Sequence, residues 1–166
     1  MNDERSEQFR AGVGAIITNA EHQVLGFQRS GPSGAWQVPQ GGINEGESFD
    51  TALWRELSEE TGLSPNDLAL IGYYPAWLGY TLPRTAVSEK TGIGQVHRWF
   101  VLRARHPDLA TTIDFSATQR ELSACRWMDW DELITHAVPF RQSVYRLLAA
   151  IDRQPMLMEI TTEADS

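Results

Sequence analysis

The chain has 166 residues, 42% of them hydrophobic, and a formal net charge of −8 at pH 7. That length and apolar content fit one compact domain with a real core. The acidic balance excludes a protein whose main work is gripping long stretches of nucleic acid, because such affinity rests on many Lys and Arg contacts to phosphate.

A single cysteine, Cys125, rules out an intramolecular disulfide and an all-cysteine metal site. The opening MNDERSEQFR has neither the basic start nor the apolar run of a secretory leader, and no stretch reaches the ~18 apolar residues a membrane span needs. The expectation is a cytoplasmic protein without membrane contact, and a monomer.

In chain order, residues 1–8 are polar and are expected to be flexible. Ala11–Thr18 is small and β-branched, and Gln23–Gln28 follows a turn-like Asn19-Ala20-Glu21-His22, which together read as a β-hairpin. Ser30–Ala35 is a Gly/Pro/Ser loop, and Trp36–Gln40 is a short extended piece ended by Gly41-Gly42. Ser48 offers an N-cap hydroxyl to a helix over Phe49–Thr61, where Phe49, Ala52, Leu53 and Leu57 recur at helical spacing and Gly62 ends the run.

Leu68–Trp77 and Val96–Ala104 read as strands separated by an irregular stretch, and Cys125–Trp130 is a further strand candidate. Asp129 with Glu132 resembles a capping box for a helix through Leu133 and His136. Pro139 suits the first turn of a last helix whose stripe is Phe140, Val144, Leu147, Leu148 and Ile151. Residues 9–151 then form the domain, and 152–166 a flexible acidic tail. Strands outnumber helices without steady βαβ alternation, so the fold class is α/β of the α+β kind, a mixed sheet flanked by helices.

The chemistry concentrates between Gly41 and Leu63. Glu56, Glu59 and Glu60 stand at i, i+3 and i+4, so three carboxylates leave one helix face within a turn of each other. Taken alone, such a triplet is more often a solvated acidic face. A hard cation, Mg²⁺ with Mn²⁺ as a substitute, relieves the repulsion while leaving positions for phosphate oxygens. Gly41 and Gly42 permit close approach of phosphate to backbone. Arg55 and Glu47 are a pair able to hold the loop against the helix. His22, His97, His106, His136 and Cys125 lack ligand spacing or acid–base partners, so structural roles are expected for them; His97 is the one to revisit if its strand faces the site.

Gly41, Glu47, Arg55-Glu56-Leu57, Glu59-Glu60 and Gly62-Leu63 resemble the complete Nudix box, and the chain is identified by it as a member of that family. Around the box, Trp36-Gln37-Val38-Pro39-Gln40-Gly41-Gly42, Tyr80-Thr81-Leu82-Pro83, Gly94-Gln95 and Trp99-Phe100 resemble bacterial RNA pyrophosphohydrolases and the related asymmetric diadenosine-polyphosphate hydrolases, from about Phe9 to Arg146. Gln28-Arg29 departs from that pattern, which has two adjacent arginines.

The resemblance implies an α/β/α sandwich, Mg²⁺ ions, and hydrolysis of a polyphosphate carried by a nucleoside or by the 5′ end of RNA. It implies Glu56, Glu59, Glu60 and Glu121 as catalytic acids, with Gly41 joining them in the metal-binding set and Glu47 and Arg55 as supports. It also implies substrate contacts from Arg10, Arg29, Gln40, Tyr80, Gln95, Phe140 and Arg141. For these the plainer alternatives are surface charge, core packing at Tyr80, and the start of an apolar stripe at Phe140. Two other readings stay open: a housecleaning hydrolase of free nucleoside triphosphates or nucleotide sugars, and a non-catalytic nucleotide-binding module.

Overall fold

The computed structural model describes residues 8–152 and 158–159. Its elements in chain order are β1 Phe9–Thr18, β2 Val24–Arg29, β3 Trp36–Gln37, β4 Gln40–Gly42, α1 Phe49–Thr61, β5 Leu68–Tyr73, β6 Leu78–Thr81, β7 Gly94–Ala104, α2 Leu109–Thr112, β8 Leu122–Met128, α3 Trp130–His136, α4 Pro139–Asp152 and β9 Met158–Glu159.

The spine of the sheet is the parallel pair β1–β7, in register from Phe9 opposite Gly94 to Thr18 opposite Arg103. On its other edge β1 changes partner. Gly12, Val13 and Gly14 pair antiparallel with Gly42, Gly41 and Gln40 of β4, whereas Thr18 pairs with Val24 of β2. Strand β7 is likewise shared, with β6 along Gly94–His97 and β5 further on. Outside these, β3 and β8 pair with β2, and β9 pairs with β5.

Because successive strand residues face opposite ways, the sheet has two apolar faces. Val13, Ala15, Ile17, Phe100 and Leu102 pack under α1 through Ala52, Leu53 and Leu57. Ile16, Trp99 and Val101 pack against Leu133 of α3 and Val144, Tyr145 and Leu148 of α4. The result is the expected α/β/α layering, with α1 and the short α2 on one face and α3 and α4 on the other.

Several boundaries differ from the sequence reading. The strand expected over Leu68–Trp77 stops at Tyr73, because Pro75, which has no N–H to donate, breaks the ladder and lets β6 start in the stretch read as irregular. Trp130 belongs to α3 rather than to the preceding strand, which runs Leu122–Met128. Asp129 occupies the N-cap of α3, but its side chain caps nothing, and Glu132 pairs instead with Arg126 at 2.5 Å. In α4 Leu147 is 51% exposed, since the buried stripe runs through Val144, Tyr145, Leu148 and Ala149. The Ile151 side chain lies outside the described residues. So do residues 1–7, 153–157 and 160–166, which hold nearly all of the two ends expected to be flexible. No helix among the described residues is long and apolar enough to cross a membrane.

Candidate active site

Helix α1 is pinned at both ends, which sets the direction of its acids. The Ser48 hydroxyl accepts from the Thr51 N–H at 3.2 Å. At the other end Gly62 takes the left-handed φ of 74° and returns its N–H to the Ser58 carbonyl. With Ala52, Leu53 and Leu57 turned into the core, Glu56 and Glu60 fall beside them at the sheet surface. Glu60 is 4% exposed and its Oε2 has no hydrogen-bond partner. Burial, reinforced by Glu56 and Glu121, pushes its carboxyl up to about 8. Burial also raises Glu56, against the opposing pull of Arg55.

Arg55 binds the preceding loop to this helix. Its Nε donates to Glu47 Oε1 at 2.6 Å, and a second nitrogen donates to Glu47 Oε2 at 2.9 Å and to the Gly42 carbonyl at 2.8 Å. The third nitrogen reaches Glu56 at 2.7 Å and Glu59 at 3.3 Å. A bidentate pair of this kind fixes orientation as well as charge. The Arg55 guanidinium holds the Glu47 carboxyl down at about 2.

Glu121 arrives from another element. The β2–β8 pairing sets Arg29 opposite Leu122, Ser30 donates its N–H to the Glu121 carbonyl, and Arg120 takes a left-handed φ of 61°. Upstream, the Gln119 N–H donates to the Glu59 carbonyl at 3.1 Å, which ties this segment to α1.

These pieces surround a cavity of about 260 Å³. Glu56, Glu59, Glu60 and Glu121 line it together with Arg10, Arg29, Lys90 and Arg141. Four amides, Gln37, Gln40, Gln95 and Gln119, complete the wall with His97, Ala11, Gly41 and Gly42. Tyr80 and Phe140 do not line it. The Tyr80 hydroxyl accepts from Gln40 at 2.6 Å and donates to Gln95 at 2.7 Å, so it orients two wall amides from beneath. Phe140 packs on the Tyr80 ring at 5.4 Å. Arg141 donates to Gln37 Oε1 at 2.5 Å.

Sequence reasoning did not single out Gln37, Lys90 or Gln119, and it set His97 aside. The period of two along β7 puts His97 on the Gln95 side, and that signal was readable. His97 is buried and stays neutral, since burial, followed by Arg141 and Arg10, drives its imidazole down to about 3.

The family model described as NUDIX domain matches residues 8–149. The chain belongs to the Nudix family. It is 38% identical over 144 residues to an RNA pyrophosphohydrolase of Marinomonas sp. (strain MWYL1), covering 85% of this chain and 88% of that protein. It is 39% identical over 145 residues to the RNA pyrophosphohydrolase of Rhodospirillum rubrum, covering 86% of each. Among solved structures, the E. coli dihydroneopterin triphosphate pyrophosphohydrolase superposes with a TM-score of 0.67 at 19% identity, over 86% of this chain and 98% of that one, a likeness of fold. This Nudix protein is thus a hydrolase acting on anhydride bonds.

Nudix hydrolases generally use divalent metals. Among the described residues no three His, Cys, Asp or Glu side chains form a ready-made cage. Glu56 and Glu59 lean onto Arg55 instead, as expected of like charges that spread apart. The donor set nonetheless suits a hard cation that is completed by water and phosphate oxygens. Glu60 Oε2 is buried and unpaired, and Glu56 touches the space beside Gly41.

Proposed function

We propose that this Nudix hydrolase is a Mg²⁺-dependent pyrophosphohydrolase whose substrate is the 5′-triphosphate end of RNA. The observation that carries this reading is the wall of the cavity, where four carboxylates meet Arg10, Arg29, Lys90 and Arg141. Acids alone suit a metal and cations alone suit an anion. The two sets facing one space suit a metal–polyphosphate. The names of the curated relatives support the RNA end as the carrier.

Glu56, Glu59, Glu60 and Glu121, with the Gly41 carbonyl, would hold Mg²⁺, with Mn²⁺ as a substitute. When bound, such ions neutralise phosphate charge and acidify water. The protein's own residues do the rest. Arg10, Arg29, Lys90 and Arg141 bind phosphate oxygens, and Arg55 with Glu47 holds the glycine loop against α1. Tyr80 fixes Gln40 and Gln95, while buried, neutral His97 adds no positive charge to the floor. Water adds to phosphorus, a P–O–P bond breaks, and the proton of the water passes to a carboxylate.

A second reading, a dinucleoside polyphosphate as substrate, is favoured by the net charge of −8, which opposes extended RNA contacts. A Mg²⁺-dependent assay with 5′-triphosphorylated RNA, diadenosine tetraphosphate and free nucleoside triphosphates decides between them. RNA turnover at the highest kcat/KM is expected. Preference for the dinucleotide establishes the second reading, and preference for free triphosphates defeats both.

A further inference from the structure

Beside the cavity, on the α1 face of the sheet, lies a group of residues that the proposed chemistry does not use. The Arg98 guanidinium sits 4.6 Å from the centre of the Tyr73 ring, 5.1 Å from that of Phe49 and 5.2 Å from that of Trp77. Phe49 and Trp77 meet edge to face at 5.3 Å, yet Phe49 remains 37% exposed and Trp77 40%. Among the described residues Arg98 has no carboxylate partner, and its Nε is buried without a hydrogen-bond acceptor.

A half-buried cation held by three rings lacks an anion. Rings stabilise a cation through their faces, but they satisfy none of its in-plane N–H donors. The missing partner is therefore a flat or extended anionic group carrying oxygens, and exposed indole beside it offers a stacking surface. A nucleotide has both parts, phosphodiester and base.

The position agrees. Ala11 lines the cavity and pairs with Val96, two residues from Arg98 on the same face of β7, about 7 Å along the strand. Phe49 lies two turns before Glu56 on α1, about 10 Å away. We infer that Arg98, Trp77 and Phe49 form a second binding site, which takes a nucleotide of the RNA chain downstream of the 5′ end by stacking its base and pairing its phosphodiester. This inference rests on the proposed RNA substrate.

The test is steady-state kinetics on 5′-triphosphorylated substrates of one, two and six nucleotides, for the parent enzyme and for Trp77→Ala and Arg98→Gln. Melting temperatures accompany the rates, and binding of the hexanucleotide to Glu59→Gln is compared with binding to Glu59→Gln/Trp77→Ala. The parent is expected to gain about tenfold in kcat/KM between one and six nucleotides, equivalent to about 1.4 kcal/mol. Both variants should lose that gain and keep the mononucleotide rate, and Trp77→Ala should weaken hexanucleotide binding about tenfold in the Glu59→Gln background. An unchanged length dependence in folded Trp77→Ala overturns the second site and leaves the proposed function standing. A parent enzyme that hydrolyses RNA of no length overturns the proposed function, and the second site with it.

Discussion

Replacing Gly41 by alanine separates activity from folding. The added Cβ would lie 1.9 Å from Glu56 Cδ and 2.1 and 2.3 Å from its two carboxylate oxygens, and ordinary contact begins near 3.4 Å. The carboxylate must therefore retreat by about 1.5 Å, the difference between the first and last of those distances. Gly41 is not among the glycines with positive φ, so alanine fits its backbone. What yields is the free end of a side chain, and the cost to stability should stay within about 1 kcal/mol. Catalysis is far less tolerant, because about 1 Å of misplacement costs on the order of 10²-fold. The expected result is a kcat at least 10²-fold lower with a melting temperature close to the parent. Gly42→Ala is the companion, since its Cβ would lie 2.1 Å from an Arg10 nitrogen and should act mainly on KM. A Gly41→Ala enzyme with parental kcat would refute the reasoning, because Glu56 would then not need its observed position. A parallel fall in melting temperature would assign the loss to the fold.

Glu59→Gln should lower kcat by about 10²-fold or more with little effect on melting, since it removes a carboxylate from the developing charge and buries nothing new; steady-state rates beside a thermal melt check this. Glu60 makes metal-free stability depend on pH. Its folded carboxyl, raised to about 8, keeps a proton that the unfolded chain releases near 4.5, so stability falls as pH rises through that interval. Metal-free Glu60→Gln should consequently melt higher than the parent at pH 8, by on the order of a few kcal/mol, and the advantage should vanish near pH 4.5; equal melting at both pH values would contradict it. Phe140→Ala should cost about 2–3 kcal/mol of stability with a KM within threefold of the parent, because the ring packs on Tyr80. A large rise in KM without loss of stability would return the ring to base stacking.

Local signals read well. Helix α1 announces itself through Ser48, the spacing of Leu53 and Leu57, and Gly62, all within one short segment, so the direction of its glutamates followed from the sequence. Arg10, Arg29, Gln40, Gln95, Arg141 and Glu121 were placed by family likeness, and the fold gathers them on one cavity. What escaped depends on contacts between distant segments. Gln37 reaches the wall because Arg141, far along the chain, holds its amide, and Lys90 because a loop folds back over β1. Strand β6 exists because β7 offers it an edge, and no pattern within Leu78–Thr81 announces this. Glu132 was misread for a similar reason, since Arg126 draws it away from the helix cap.

Strand β1 carries a wing on each of its edges. One wing, β2, β3 and β8, delivers Arg29, Gln37 and Glu121. The other, β6 and β7, delivers Gln95 and His97 over Tyr80. Strand β4 and the glycine loop share the edge of β1 with β2, held to it by their own three residue pairs and to α1 by Arg55. Each wing is also tied to the catalytic helix, the first through the Gln119 N–H on the Glu59 carbonyl and the second through Phe100 and Leu102 beneath α1. Such an architecture couples the two sides, because the wing that carries Arg29 and Gln37 also carries Glu121, so a change in the cavity wall there is felt among the acids at the centre.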